Sequence, residues 1–226
     1  MFIDLSHTFE DGMPGFVIKH DDGTVASFTA SVKPFLTHDQ SKGFYNGLAS
    51  FELTEVAFTT SIGTYLDSPM HRFEGMRDIS ELTLDEVILD AVVVRVAGAK
   101  PGRPIDLVDC DIPEDISGMA VLFQFGWDKY WGTDVYETYP FIGDDVIARV
   151  ISGGAKLIGM DTFNADDRTN PRRPVHSELL KRNILIVENL RNLEALPDSG
   201  FRFFAVPIKA KSAAAMTVRA FAEVQE

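Results

Sequence analysis

The stretch Ser61-Ile62-Gly63-Thr64-Tyr65-Leu66-Asp67-Ser68-Pro69-Met70-His71-Arg72 gathers a carboxylate, an imidazole and a phenol among turn-forming residues. Gly63 permits a tight backbone path, and Pro69 fixes the chain just before His71. Asp67 and His71 are therefore presented from a rigid, mostly non-helical segment, as a catalytic site requires. An isolated histidine is most often a satisfied core or surface residue. His71, four residues after Asp67 in a turn framed by Gly and Pro, reads instead as catalytic. Tyr65 carries two readings: an aromatic packed in the core, or a hydroxyl that donates to a developing oxyanion. Further along, Glu188 closes the apolar run Ile184-Leu185-Ile186-Val187, where a carboxylate is either solvated at the strand end or buried with a partner. His176 stands beside a turn at Ser177.

Other chemistries find little support. His7, His20 and His38 lie in a segment rich in Asp and Gly, where solvated loop histidines are expected. Gly153-Gly154 and Gly12-Met13-Pro14-Gly15 lack the spacing of a phosphate-binding loop. There is no G-x-S-x-G elbow, and no Cys is placed with a His for nucleophilic catalysis.

The elements that must position these groups alternate short β-branched runs with helical spacing, which predicts an α/β chain. Strands are expected over Glu52–Thr60, Ala91–Val96, Ala120–Phe125, Lys156–Met160, Ile184–Glu188 and Phe201–Ile208, with a turn into a short helix over Ile79–Leu84. Val146, Ile147, Val150 and Ile151 form an apolar stripe that predicts a helix between Gly143 and Gly153, and Ser177–Lys181 reads as a helical turn. Thr162–Pro174 is a polar, proline-bearing loop of the kind that often carries binding groups. No Ser, Pro or Gly tract marks a linker, so a single domain over residues 1–226 is expected.

Composition narrows the partners. The chain has 226 residues, 45% hydrophobic and 24% charged, which is ordinary for a globular protein with a core that needs no disulfide or structural metal. A formal charge of −13, without a basic run, argues against nucleic acid. A local basic pocket for a small molecule can persist, with Arg168, Arg172, Arg173 and Arg219 available for it. No apolar stretch approaches the ~20 residues of a membrane span. Cys110 is alone and the first residues lack the basic and apolar regions of a signal peptide, which points to the cytoplasm.

The segment around Asp67 resembles the signature H-x-G-T-H-x-D-x-P-x-H of the cyclase and kynurenine-formamidase-like family of metal-dependent hydrolases. Five of its seven fixed positions are met, by Gly63, Thr64, Asp67, Pro69 and His71, while Ser61 and Tyr65 replace its two leading histidines. Gly159-Met160-Asp161-Thr162, Pro174-Val175-His176-Ser177-Glu178, Ile186-Val187-Glu188-Asn189-Leu190 and the amino-terminal Asp4-Leu5-Ser6-His7 carry the resemblance over nearly the whole chain. It implies mixed sheets in β/β/α layers around a barrel-like core, and dimers or higher homo-oligomers; Phe201–Phe204 suits an interface. It also implies a divalent metal that activates water to open an amide or lactone in a small cyclic or N-acyl substrate. Asp67, His176 and Glu188 are the family ligands that remain, with His71 to relay protons and Tyr65 and Ser61 to reshape the substrate pocket. An oxygen-rich set favours manganese or magnesium over zinc. The loss of two imidazoles leaves a second reading, a metal-free small-molecule binder or an acid/base isomerase or dehydratase on the same fold.

Overall fold

A computed structural model describes residues 1–20 and 22–225. The chain forms two compact units, one from Met1–His7 with Thr64–Glu226 and the other from Thr8–Gly63. The larger unit opens with β1 (Phe2–Asp4). The smaller unit holds β2 (Pro14–Lys19) paired antiparallel with β3 (Val25–Thr29), β4 (Ser31–Leu36) paired antiparallel with β5 (Leu53–Ala57), and the four-residue helix α1 (His38–Ser41). Every residue of β5 is exposed, and its extent is shorter than the Glu52–Thr60 run expected from sequence.

The larger unit continues with β6 (Tyr65–Asp67), β7 (Ile88–Arg95), β8 (Pro104–Ile105), β9 (Ala120–Gln124) and β10 (Phe141–Ile142). Helix α2 (Asp144–Ser152) leads into β11 (Leu157–Met160), and helix α3 (Pro174–Leu180) into β12 (Leu185–Glu188). The chain then runs through β13 (Phe201–Phe204), β14 (Ala215–Thr217) and β15 (Phe221–Val224). Nine of these strands make one sheet in the order β1-β15-β13-β7-β9-β11-β12-β6-β14, which curls as a half-barrel. This is the mixed α/β class expected from the alternating pattern.

The centre of the sheet, β7-β9-β11-β12, is parallel and its flanks are antiparallel. Parallel strands are covered on both faces, so their sequences are continuously apolar. Every residue of β11 and β12 is buried accordingly. Gly143 is the N-cap of α2, and a Cβ there would lie 2.5 Å from the Ile105 carbonyl oxygen, so close approach explains the glycine. Val146 and Val150 of α2 and Val175 and Leu179 of α3 join Phe123, Ile158 and Ile186 of the sheet in one core cluster. Among the described residues, no helix is long and apolar enough to cross a membrane.

Candidate active site

Strand register builds the site. β6 pairs antiparallel with β12 so that Tyr65 stands opposite Glu188 and Asp67 opposite Ile186. Side chains two apart on a strand share a face, and directly opposed residues lie side by side on that face. Tyr65, Asp67 and Glu188 therefore point to one side of the sheet, all three buried. Beyond Asp67 the chain turns through a 3-10 segment, Pro69–His71, tied back by the Ser68 hydroxyl donating to the Ala214 carbonyl at 2.8 Å. That turn returns His71 over Asp67, with Nδ1 3.3 Å from Oδ1 and the imidazole one-third exposed.

His176 arrives from α3. The helix begins at Pro174, earlier than the Ser177 start read from sequence, so His176 lies inside it. Asp166 caps this helix, accepting from Val175 N at 2.7 Å and His176 N at 3.1 Å, as a carboxylate should at the end where backbone donors are unpaired. The same carboxylate meets His176 Nδ1 at 2.7 Å, which turns Nε2 inward, 3.7 Å from Asp67 Oδ2 and 3.4 Å from Glu188 Oε1. Burial acts to lower the His176 pKa, but the surrounding Asp166, Asp67 and Glu188 outweigh it and raise it to about 10. Burial likewise works to raise Asp166, yet its bonds to His176 hold it below the usual carboxylate range.

Glu188 is heavily hydrogen-bonded. Its Oε2 accepts from the Tyr65 hydroxyl and from Asn164 Nδ2 at 3.1 Å, and its Oε1 accepts from Ala165 N at 2.7 Å. Burial, then the Glu188 and Asp67 charges, push the Tyr65 phenol well above its ordinary range. The single proton of that hydroxyl is committed to Glu188, so an oxyanion could receive it only after this bond broke. Arg173, in a left-handed conformation at φ 47°, sends Nη2 to Asn164 Oδ1 at 2.7 Å and Nε to within 3.5 Å of Asp166.

Asp67 is the opposite case. Neither carboxylate oxygen has a hydrogen-bond partner among the described residues, although both are buried. A buried carboxylate without donors is costly, and proteins pair such a group or give it a metal. One ligand atom each from Asp67, His71 and His176 lie within 4.8 Å of one another, so these residues fit a divalent cation. The structure thus brings Tyr65, Asp67, His71, His176 and Glu188 together, whereas Ser61 lies in a half-buried bend near the end of the smaller unit.

Asn164 and Asp166 are site residues beyond those expected from sequence, and Arg173 was expected only as one of four arginines available to a basic pocket. Their signal was the polar loop 162–174, but loop composition does not say which side chains turn inward. His7 departs from the expected solvated histidine: its ring stacks on Trp131 at 3.8 Å, and burial, then Arg191, lower its pKa to about 4. His20 and His38 are exposed, as expected.

The Cyclase family model matches residues 3–167. The chain belongs to the cyclase family. Among relatives of this cyclase-family protein, the kynurenine formamidase of Erythrobacter litoralis is 28% identical over 154 residues, 68% of each chain. That of Salinibacter ruber is 29% identical over 177 residues, covering 76% of this chain and 80% of its own. Isatin hydrolase A from Labrenzia aggregata, solved with benzyl benzoate, shares the fold with a TM-score of 0.82 at 21% identity, over all of this chain and 94% of its own. A protein described as a potential metal-dependent hydrolase with cyclase activity superposes at 0.73 with 19% identity, over all of this chain and 98% of its own.

Proposed function

We propose that this chain is a metal-dependent hydrolase opening an amide or lactone bond in a small cyclic or N-acyl substrate, acting as one catalytic domain over residues 1–226. The buried carboxylate of Asp67, without a hydrogen bond among the described residues and facing two imidazoles, carries the reading. Kinship with proteins named for formamide hydrolysis supports the bond type, and a family model that runs across both compact units supports one domain. Asp67 and His176 would hold the ion, with the rest of the ligand set taken up below. When bound, manganese, zinc or magnesium polarises a carbonyl and makes water nucleophilic near neutral pH.

The remaining work falls to the chain's own groups. Asp166 accepts the Nδ1 proton of His176, so the proton a cation would displace is the one on the inward-facing Nε2. Glu188, its carboxyl pushed above the ordinary range by burial, stands beside His176 as a hydrogen-bonded acid. Tyr65 orients that carboxylate. The exposed side of His71 marks where the substrate enters.

Protein purified without chelator or affinity-column metal should contain near-stoichiometric ion and turn over at least one class among N-formyl amides, lactones and cyclic amides. Chelation should abolish that turnover and metal should restore it; turnover indifferent to chelation would remove the mechanism. We also propose a homo-oligomer in a reducing cytoplasm. Exposed Phe35, Phe44 and Leu48 in the smaller unit and the lone Cys110 support this, whereas Phe201 and Phe203 of the stretch expected to suit an interface are buried. Light scattering that finds only monomer would contradict the assembly.

A further inference from the structure

Resting on the cation proposed at Asp67, we infer that Glu188 does not ligate it: Tyr65 and Asn164 hold Glu188 as a hydrogen-bonded neighbour, and the protein ligands are Asp67, His71 and His176. The family resemblance implied Asp67, His176 and Glu188 instead. The difference lies in how the two carboxylates are satisfied.

Glu188 accepts three hydrogen bonds, two on Oε2 and one on Oε1. A carboxylate offers about four lone-pair positions, so one is left, on Oε1; Oε1 stands 3.4 Å from His176 Nε2, yet the ligand atoms that lie within 4.8 Å of one another are those of Asp67, His71 and His176. Drawing Glu188 onto a cation through Oε2 would strip the partner from the buried Tyr65 hydroxyl. A buried polar group left unpaired costs about 1–3 kcal/mol. Asn164 resists the same movement, because Arg173 anchors its Oδ1 while its Nδ2 reaches Glu188. Asp67 accepts no hydrogen bond among the described residues and has only the His71 and His176 imidazoles beside it, at 3.3 Å and 3.7 Å, which would turn to the same ion.

Tyr65 sets this division. It stands where the family signature has a histidine, and the β6–β12 register places it directly opposite Glu188. A phenol there donates to the carboxylate, whereas a neutral imidazole could offer a lone pair to a metal. The substitution removes one ligand and occupies a second. What remains is two imidazoles and one carboxylate, which leaves coordination positions for water and substrate.

Metal preference follows. An oxygen-rich trio would favour magnesium or manganese, but two nitrogens among three ligands suit the borderline ions zinc and cobalt. The expected order of affinity is zinc and cobalt above manganese, with magnesium weakest.

The test loads the chelator-treated full chain with cobalt(II) and reads stoichiometry, affinity by competition, and the visible absorption band. The wild-type chain should take one cobalt. Glu188→Gln should weaken affinity by no more than about 10-fold, the low end for an outer hydrogen-bonding change, and leave the band in place. Asp67→Asn and His71→Ala should each weaken binding by more than about 100-fold, beyond the loss typical of outer-shell changes. Tyr65→Phe frees Oε2 of Glu188 and should shift the band as a fourth protein ligand arrives; this variant decides the matter if Glu188→Gln does not fold by circular dichroism. Equal weakening by Glu188→Gln and Asp67→Asn, undiminished binding by His71→Ala, or an unmoved band in Tyr65→Phe would each overturn the inference. Failure of the wild-type chain to take up any cobalt, zinc or manganese would instead remove the cation reading itself, and this inference with it.

Discussion

Two fully buried carboxylates in the larger unit, Asp67 in the β6 segment and Asp161 just past β11, stand in opposite circumstances. Asp161 accepts from Phe125 N and Gly126 N, each at 2.8 Å, and so closes the loop that follows β9. Burial raises its pKa, those two bonds pull it back and nearby Asp128 raises it further, to about 7. Asp67 has no donor. Burial alone therefore does not separate a structural acid from a functional one. What separates them is whether the protein supplies the hydrogen bonds itself or leaves them to a ligand.

Breaking the Asp67 side should have the largest effect. Asp67→Asn should lower kcat/KM by at least about 100-fold through loss of the metal, while urea denaturation of the chelator-treated chain should show it no less stable than wild type. A destabilised, fully active variant would erase the distinction between the two acids. Asp161→Ala should do the reverse, costing about 2–4 kcal/mol in denaturation experiments because two buried backbone N–H groups lose their acceptor, with cation affinity changed little.

The comparison sharpens with pH. Asp161 has a folded pKa raised above its ordinary 3.8 to about 7, so its contribution to stability is fully present below about pH 4 and is lost as pH rises through about 7. The stability of wild type relative to Asp161→Asn should accordingly fall between pH 4 and pH 7 and level off above, read from denaturation midpoints at each pH. A difference that grows with pH would mean that the two N–H donors outweigh burial. The smallest effect belongs to an exposed acid with similar bonds: Asp22 accepts from Thr24 N at 2.9 Å and from the Thr24 hydroxyl at 2.6 Å. Water can replace both, so Asp22→Asn should leave the thermal midpoint where it is.

Several features were legible from residue order because they are local. The apolar stripe between Gly143 and Gly153 became α2 almost to the residue, since helical periodicity is written within one turn of chain. Ala120–Phe125 and Lys156–Met160 became β9 and β11, where burial on both faces demands unbroken apolar runs. Strand ends were less legible. Phe201–Ile208 stops at Phe204 and Glu52–Thr60 narrows to Leu53–Ala57, because partner length ends a ladder and propensity does not. His7 is stacked rather than solvated because its partner lies 124 residues away, at Trp131, beyond any local pattern.

Residue order settles which functional groups exist and which of them share a rigid turn: Asp67 and His71 are four residues apart with Gly63 and Pro69 around them, and that spacing needs no tertiary information. Tertiary structure alone decided what each acid does. Tyr65 meets Glu188 across 123 residues through an antiparallel register that a one-residue slip would invert, and His176 turns Nε2 inward because Asp166 holds its other nitrogen. Hydrogen bonds between distant strands and loops assign the donors, and with them the acid left for the ion.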